Sequence, residues 1–237
     1  MEKEINRLVK WLQDEVKKAG AKGLVFGLSG GIDSAVVAGL AKKAFPENSL
    51  GLIMPIHSNP QDEEDAKLIA EKINLKTIKI DMSKTFDQYL EDTFVSENLM
   101  AKSNIKPRLR MLSLYYYGQD LGYLVLGCSN ASEFYTGYFT KYGDSGADLI
   151  PLAEFLKDQV YELARELEIP EKIIDKAPSA GLFEDQSDEK EMGFSYDDLN
   201  AFIRGEKVDE KIAEKIEKMH KRSEHKRHFA KIYKREK

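Results

Sequence analysis

The sequence predicts an α/β fold: a doubly wound, mostly parallel sheet with flanking helices and a helical C-terminal part. Three observations predict it. Short continuous apolar runs recur at residues 23–28, 49–54 and 123–126, the pattern of strands buried on both faces. Helix-like segments alternate with them, as crossovers between parallel strands require. The first run leads straight into a glycine-rich turn, Ser29-Gly30-Gly31, and then into a helix.

The elements follow in order. Ile5, Leu8, Val9, Leu12 and Val16 recur at helical spacing, and their stripe stops at Gly20, a natural helix breaker. Residues 23–28 lack polar alternation and read as a buried strand, and Ile32 to Ala44 as a helix ending before Pro46. Residues 49–54 are strand-like, 61–72 helix-like and 75–80 strand-like. Pro107 suits the first turn of a helix, with Met111, Leu112 and Tyr115 as its apolar stripe. Residues 123–126 form another strand, ending in Gly127. Ligands of such sheets lie beyond the carboxyl ends of the strands, so residues 29–34, 55–61 and 128–133 are expected on that edge. After residue 150 the strand signals fade; residues 152–167, 196–203 and 208–219 read as helices, and 177–193 as polar and turn-rich. No repeat or low-complexity linker interrupts the chain, which implies one domain over residues 1–237 with its helical part at about 152–237.

Composition excludes several functions. A folded chain of 237 residues hides roughly three-quarters of its unfolded surface and needs no disulfide or metal staple. One cysteine excludes a disulfide framework and a four-cysteine zinc site, and suits a reducing, cytoplasmic setting. No apolar run approaches ~20 residues and the first segment is charged throughout, so neither a membrane span nor a signal peptide is expected. The formal charge of −5 argues against nucleic acid as a partner. It hides a basic tail, however: residues 221–237 hold eight Lys/Arg against two Glu. His220, His225 and His228 lack a fourth ligand for zinc, and the acidic run 62–65 reads as the opening of a helix.

The most informative stretch is Leu28-Ser29-Gly30-Gly31-Ile32-Asp33-Ser34. Glycines let the backbone approach a ligand, and the following helix aims free N–H groups and its positive dipole end at the same place. Ser29 and Ser34 add hydroxyls. Asp33 brings a carboxylate to an anion site, which makes sense when Mg²⁺ stands between it and phosphate. The lysine of the Walker loop is absent, and so is the G-x-G-x-x-G pattern.

These residues resemble the S-G-G-x-D-S signature of the N-type ATP pyrophosphatases, which split ATP between its α and β phosphates to adenylylate a substrate oxygen. Further stretches resemble NAD synthetase within that superfamily: residues 130–144, 146–152, 157–159, 178–182, 186–189 and 224–227. They run in matching order and similar spacing from about residue 20 to the end.

The resemblance implies roles residue by residue. ATP falls to Leu28, Ser29, Gly30, Gly31, Ile32, Asp33, Ser34, Cys128, Lys157 and Ser179, with Mg²⁺ held by Asp33 and Glu133. Cys128 departs from the family, whose members often carry threonine there, and weakens that hydrogen bond. Deamido-NAD falls to Arg108, Tyr138, Lys141, Asp148, His225 and Lys226, with Tyr138 as a platform for a flat ring. Asp33, Lys157 and Ser29 carry the catalysis, and Asp144 handles the protons of attacking ammonia. The implied reaction takes ATP, deamido-NAD and ammonia to NAD, AMP and pyrophosphate through an adenylylated carboxylate. The family further implies a homodimer with substrate near the subunit interface. The core nearly fills 237 residues, which favours free ammonia, with delivery by a separate glutaminase left open. A tRNA-modifying relative would want a basic surface and more cysteines, and a non-catalytic nucleotide sensor would not need Glu133, Lys157 and Ser179 together.

Overall fold

The computed structural model describes residues 1–94, 96–178 and 187–235. In chain order its elements are α1 (Glu2–Lys18), β1 (Gly23–Gly27), α2 (Ile32–Ala44), β2 (Ser49–Ile53), α3 (Pro60–Lys72), β3 (Lys76–Lys79), α4 (Ser83–Glu91), α5 (Leu99–Ser103), α6 (Ile105–Leu121), β4 (Tyr123–Leu126), α7 (Ala131–Thr136), α8 (Lys157–Glu166), α9 (Glu171–Ile174), α10 (Asp188–Met192), α11 (Tyr196–Ile203) and α12 (Glu210–Arg222), followed by a short 3₁₀ turn at Glu224–Lys226. The four strands are parallel, in the order β3-β2-β1-β4. The chain therefore winds outward from β1 through β2 to β3 and then returns to the other side of β1. That reversal opens a crevice at the carboxyl ends of β1 and β4.

Side-chain alternation along the strands builds two cores. Leu24 and Phe26 of β1 face one side, where they pack with Val36, Val37 and Leu40 of α2, Ile69 of α3 and Leu163 of α8. Val25 faces the other side with Leu50, Leu52 and Val125, under Phe86 of α4 and Met111 and Leu114 of α6. Both faces are thus covered at β1, β2 and β4, which is why those strands read as apolar runs, whereas the edge strand β3 is exposed throughout. A third cluster (Met192, Phe194, Tyr196, Leu199 and Ile216) joins α10, α11 and α12, with Tyr135 of α7 against it. No helix among the described residues is long and apolar enough to cross a membrane.

The expected strands and most expected helices are present within one to three residues. Two expectations need correction. The helix expected over 152–167 starts only at Lys157, because residues 151–154 make a turn. The apolar stripe expected on α6 is rotated: Met111 is buried, but Leu112 is 67% and Tyr115 41% exposed, and Leu114 and Gly118 line the packed face instead. Helices α4, α5, α7, α9 and α10 had no counterpart in the sequence pattern.

The acidic run at residues 62–65 does more than open α3. Asp65 is buried and accepts from Lys172 Nζ at 2.8 Å, Lys176 Nζ at 2.7 Å and Gln61 Nε2 at 2.9 Å. This ties the start of α3 to α9 and the segment after it. Burial raises the Asp65 carboxyl, but those three bonds outweigh it and hold the group below its ordinary value. The stability it contributes is present above the unfolded-state value of about 3.9 and is lost as pH falls through the lower folded value. Asp65→Asn is expected to lower the unfolding free energy at pH 7 by about 1–2 kcal/mol. It should also flatten acid destabilisation below about pH 4, measured by urea melts across pH.

Candidate functional site

The turn that follows β1 is built for an anion. Gly30 has φ +81°, and a Cβ on it would lie 2.4 Å from the Asp62 carbonyl oxygen and 3.0 Å from the Asp65 Cβ. Only glycine lets the turn pack against α3 in that conformation. Ser34 Oγ accepts from the Ser29 amide at 3.2 Å and donates to the Gly31 carbonyl at 2.9 Å, while Ser29 Oγ lies 3.1 Å from Ser34 Oγ. The serines therefore fix the loop internally. The N-cap of α2 is Gly31, with no side-chain cap, so the first amides of that helix remain available for a ligand.

The carboxyl end of β4 supplies the second wall. Asn130, fully buried, is the N-cap of α7 and forms a reciprocal capping box with Glu133. Its amide Nδ2 donates both to Asp33 Oδ1 at 2.8 Å and to Glu133 Oε1 at 3.0 Å. One amide thus links the carboxylates of two different βα turns. Lys157 completes the centre, its Nζ 2.5 Å from Asp33 Oδ2 and its side chain almost wholly buried. The first residue of α8 is held from both ends: its amide donates to Ser132 Oγ at 3.1 Å, and its ammonium stands 5.2 Å from the centre of the Tyr196 ring. Ser132 Oγ in turn donates to Asn200 Oδ1 at 2.7 Å, and Tyr196 Oη to Asp188 Oδ2 at 3.1 Å, so α11 buttresses the centre.

Electrostatics follow from this packing. Burial and then the neighbouring Asp33 push the Glu133 carboxyl well above the usual range, against the pull of Lys157. Burial disfavours the Lys157 ammonium, but Asp33 and Glu133 more than offset it and raise the group. Two half-buried carboxyl groups beside one ammonium, opening on a cavity, make a donor set suited to a divalent cation.

These residues open on a cavity of about 930 Å³. Its wall brings together Leu28, Ser29, Gly31, Ile32, Asp33, Ser34, Cys128, Glu133, Tyr138, Asp144, Lys157, His225 and Lys226. Gly30 lies behind the turn it shapes. Burial pushes up the Asp144 carboxyl, although that group accepts from the Thr140 amide at 2.9 Å. Burial likewise pushes up the Cys128 thiol, which leaves it an inert wall residue. Tyr138 donates to Glu191 at 2.7 Å, and Lys226 donates to the Gly137 and Phe139 carbonyls, both at 2.8 Å, which docks the basic tail against the end of α7.

Three expected substrate residues do not line the cavity. Arg108 bonds the carbonyls of Asn104 and Lys141, each at 3.2 Å. Lys141 donates to the His225 carbonyl. Asp148 accepts from the Val125 amide at 2.8 Å and Tyr115 Oη at 3.0 Å. Ser179 lies outside the described residues. The sequence reading gave no role to Asn130, Arg110, Lys176 or Tyr196, of which all but Asn130 and Tyr196 line the cavity. For Asn130 a signal existed: Asn-x-x-Glu after a strand is a capping box. His57 has φ +47° and an Asp87 partner at 2.7 Å, and it also lines the cavity.

The fold and this cavity define a doubly wound α/β protein with an oxyanion cradle beside a half-buried carboxylate pair. A family model described as NAD synthase matches residues 4–230, and the chain belongs to that family. It is 55% identical to an NH₃-dependent NAD⁺ synthetase from Finegoldia magna, over 95% of this chain and 93% of that one. Among solved structures, an NMN synthetase from Francisella tularensis matches with a TM-score of 0.95 at 42% identity, covering 98% of each chain. An NH₃-dependent NAD synthetase from Campylobacter jejuni matches with a TM-score of 0.83 at 30% identity, over 98% of this chain and 99% of that one.

Asn130→Ala removes both the cap of α7 and the amide between the carboxylates. It is expected to cost about 1–2 kcal/mol in thermal or urea unfolding. Turnover should fall at least tenfold, because Asp33 and Glu133 lose their shared anchor; an unchanged kcat would separate the amide from the site's function.

Proposed function

We infer that the cavity is where the chain carries out the ATP-dependent amidation of deamido-NAD by ammonia, giving NAD, AMP and pyrophosphate. The single observation that carries this placement is the meeting of the Ser29–Ser34 cradle with Asp33, Glu133 and Lys157 on one wall. The triphosphate of ATP lies on the cradle, with the amides of α2 and the hydroxyls of Ser29 and Ser34 on its oxygens. The acceptor carboxylate attacks the α-phosphorus and pyrophosphate leaves. Lys157, held rigid by Asp33 and Tyr196, steadies the charge that gathers on the departing group. Ammonia then attacks the activated acyl carbon and AMP departs. Asp144, whose carboxyl burial raises, takes a proton from the nitrogen as the amide forms.

The donor set of Asp33 and Glu133 fits Mg²⁺, which favours a few carboxylate oxygens and keeps several waters. When bound, the ion supplies neutralisation of phosphate charge. Asn130 contributes by holding the two carboxylates in place. A homodimer is part of the same reading. The outer face of α6 presents Leu112 and Tyr116 at 67% and 73% exposure beside Arg108, a surface suited to a second copy of the chain.

A second reading concerns the acceptor. Similarity to the Francisella tularensis NMN synthetase, together with Arg108, Lys141 and Asp148 lying off the cavity, favours the mononucleotide of nicotinate as an alternative acceptor. Both acceptors present the same nicotinate carboxylate.

Parallel assays of ammonia-dependent amide formation with deamido-NAD and with nicotinate mononucleotide decide between them. Deamido-NAD is expected to give the higher kcat/KM; a preference of tenfold or more for the mononucleotide would transfer the assignment. Asp33→Asn is expected to abolish turnover at millimolar Mg²⁺ while far-UV circular dichroism stays unchanged. A variant that kept wild-type turnover would remove Asp33 from the site.

A further inference from the structure

We propose that Arg110 is a substrate-binding residue whose guanidinium receives the α-phosphoryl oxygens of ATP, the group that leaves as AMP. The proposal rests on the reading that the Ser29–Ser34 turn holds the triphosphate. Arg110 stands on α6, and its Nε donates to the Met54 carbonyl at 3.0 Å and its Nη2 to Ser58 Oγ at 3.3 Å. Met54 directly follows β2, so the head of the side chain is pinned to the carboxyl edge of the sheet, on the β2 side of the phosphate turn. It lines the same cavity as Ser29, Asp33 and Lys157.

Its partners set it apart from Lys157, which pairs with Asp33, and from Lys176, which pairs with Asp62 and Asp65. Lys226 also rests on neutral oxygens, but those of Gly137 and Phe139 at the end of α7. Arg110 makes its two bonds to neutral oxygens, and no carboxylate among the described residues is ion-paired with it. Its burial disfavours the charge, and Asp144 and Asp62 oppose that only as near neighbours. A guanidinium in proteins stays protonated and offers a planar fork, so such a site calls for an oxyanion.

Placement selects which one. The cradle amides and Lys157 serve the end of the triphosphate that departs as pyrophosphate. The α-phosphoryl group, between that end and the nucleoside, has no cation assigned to it. In the adenylylation step the carboxylate oxygen forms a bond to the α-phosphorus, the bond to the β-phosphate oxygen breaks, and pyrophosphate carries away the electron pair. Charge then rests on the α-phosphoryl oxygens, where a bidentate guanidinium is best placed to hold it.

The test compares wild type, Arg110→Gln and Arg110→Lys by calorimetric binding of AMP, pyrophosphate and deamido-NAD with Mg²⁺, alongside kcat. Arg110→Gln is expected to weaken AMP about 10- to 100-fold and to lower kcat, with pyrophosphate and deamido-NAD within threefold. Arg110→Lys keeps the charge without the fork and is expected to recover part of both losses. AMP binding and kcat at wild-type levels in the variants overturn the proposal, as does weakened deamido-NAD with AMP unchanged. Should Arg110→Gln not fold, Arg110→Lys decides alone, wild-type AMP affinity being the overturning result. A wild type that binds neither AMP nor pyrophosphate overturns the reading of the turn and the proposal with it.

Discussion

Two carboxylates, Asp33 and Glu133, share one amide in a cavity wall partly withdrawn from water, and much of the structure answers that constraint. Burial, and then the like charge of Asp33 in a poorly screened setting, are why Glu133 resists ionisation. The protein meets this with one amide, Asn130, and one ammonium, Lys157. Each comes from a different part of the chain. Asp33 opens the helix after β1, Asn130 and Glu133 open the helix after β4, and Lys157 opens α8. The parallel order β3-β2-β1-β4 is what makes β1 and β4 neighbours, so the sheet topology and the acid pair depend on each other.

The C-terminal helices also serve that centre. Tyr196 and Asn200 of α11 reach back to Lys157 and Ser132, while α12 and the basic tail pack against α7. A lysine with four methylenes is ordinarily a mobile cation. Here an aromatic face, a carboxylate and a buried backbone bond leave it one position, and that preorganisation is what electrostatic catalysis requires.

Period and turn chemistry made the sheet legible before any coordinates. β1, β2 and β4 carry largely apolar runs, and Ser29-Gly30-Gly31 announces an anion turn on its own. Asp33, Glu133 and Lys157 were singled out through the family resemblance, and the three lie together on one wall of the cavity. Less was legible where local pattern is ambiguous. Helix α6 is apolar around most of its circumference (Leu109, Met111, Leu112, Leu114, Tyr115, Tyr116 and Tyr117), so spacing alone cannot choose its buried face. Arg108 and Arg110 sit two residues apart, about 200° around the helix, and only tertiary packing turns the second toward the cavity. Lys157 was read inside a helix and proves to be its first residue, because the chain turns at residues 151–154 before α8 begins.

The acceptor side of the cavity poses the sharper question. Arg108, Lys141 and Asp148 spend their polar groups on internal bonds that brace the segment between α7 and α8 against α6, β4 and the tail. Asp148 is the clearest case, for its two oxygens hold the Val125 amide and the Tyr115 hydroxyl. A residue committed in that way positions its neighbours and offers little to an incoming ligand. The nicotinate carboxylate that must meet the α-phosphate needs only the inner cavity, whereas the adenylate half of a dinucleotide needs surface beyond it. Under the proposed dimer, the exposed face of α6 beside Arg108 is where a second copy of the chain would supply that surface. Recognition of the reacting carboxylate and recognition of the rest of the acceptor would then be separate problems, met on different elements.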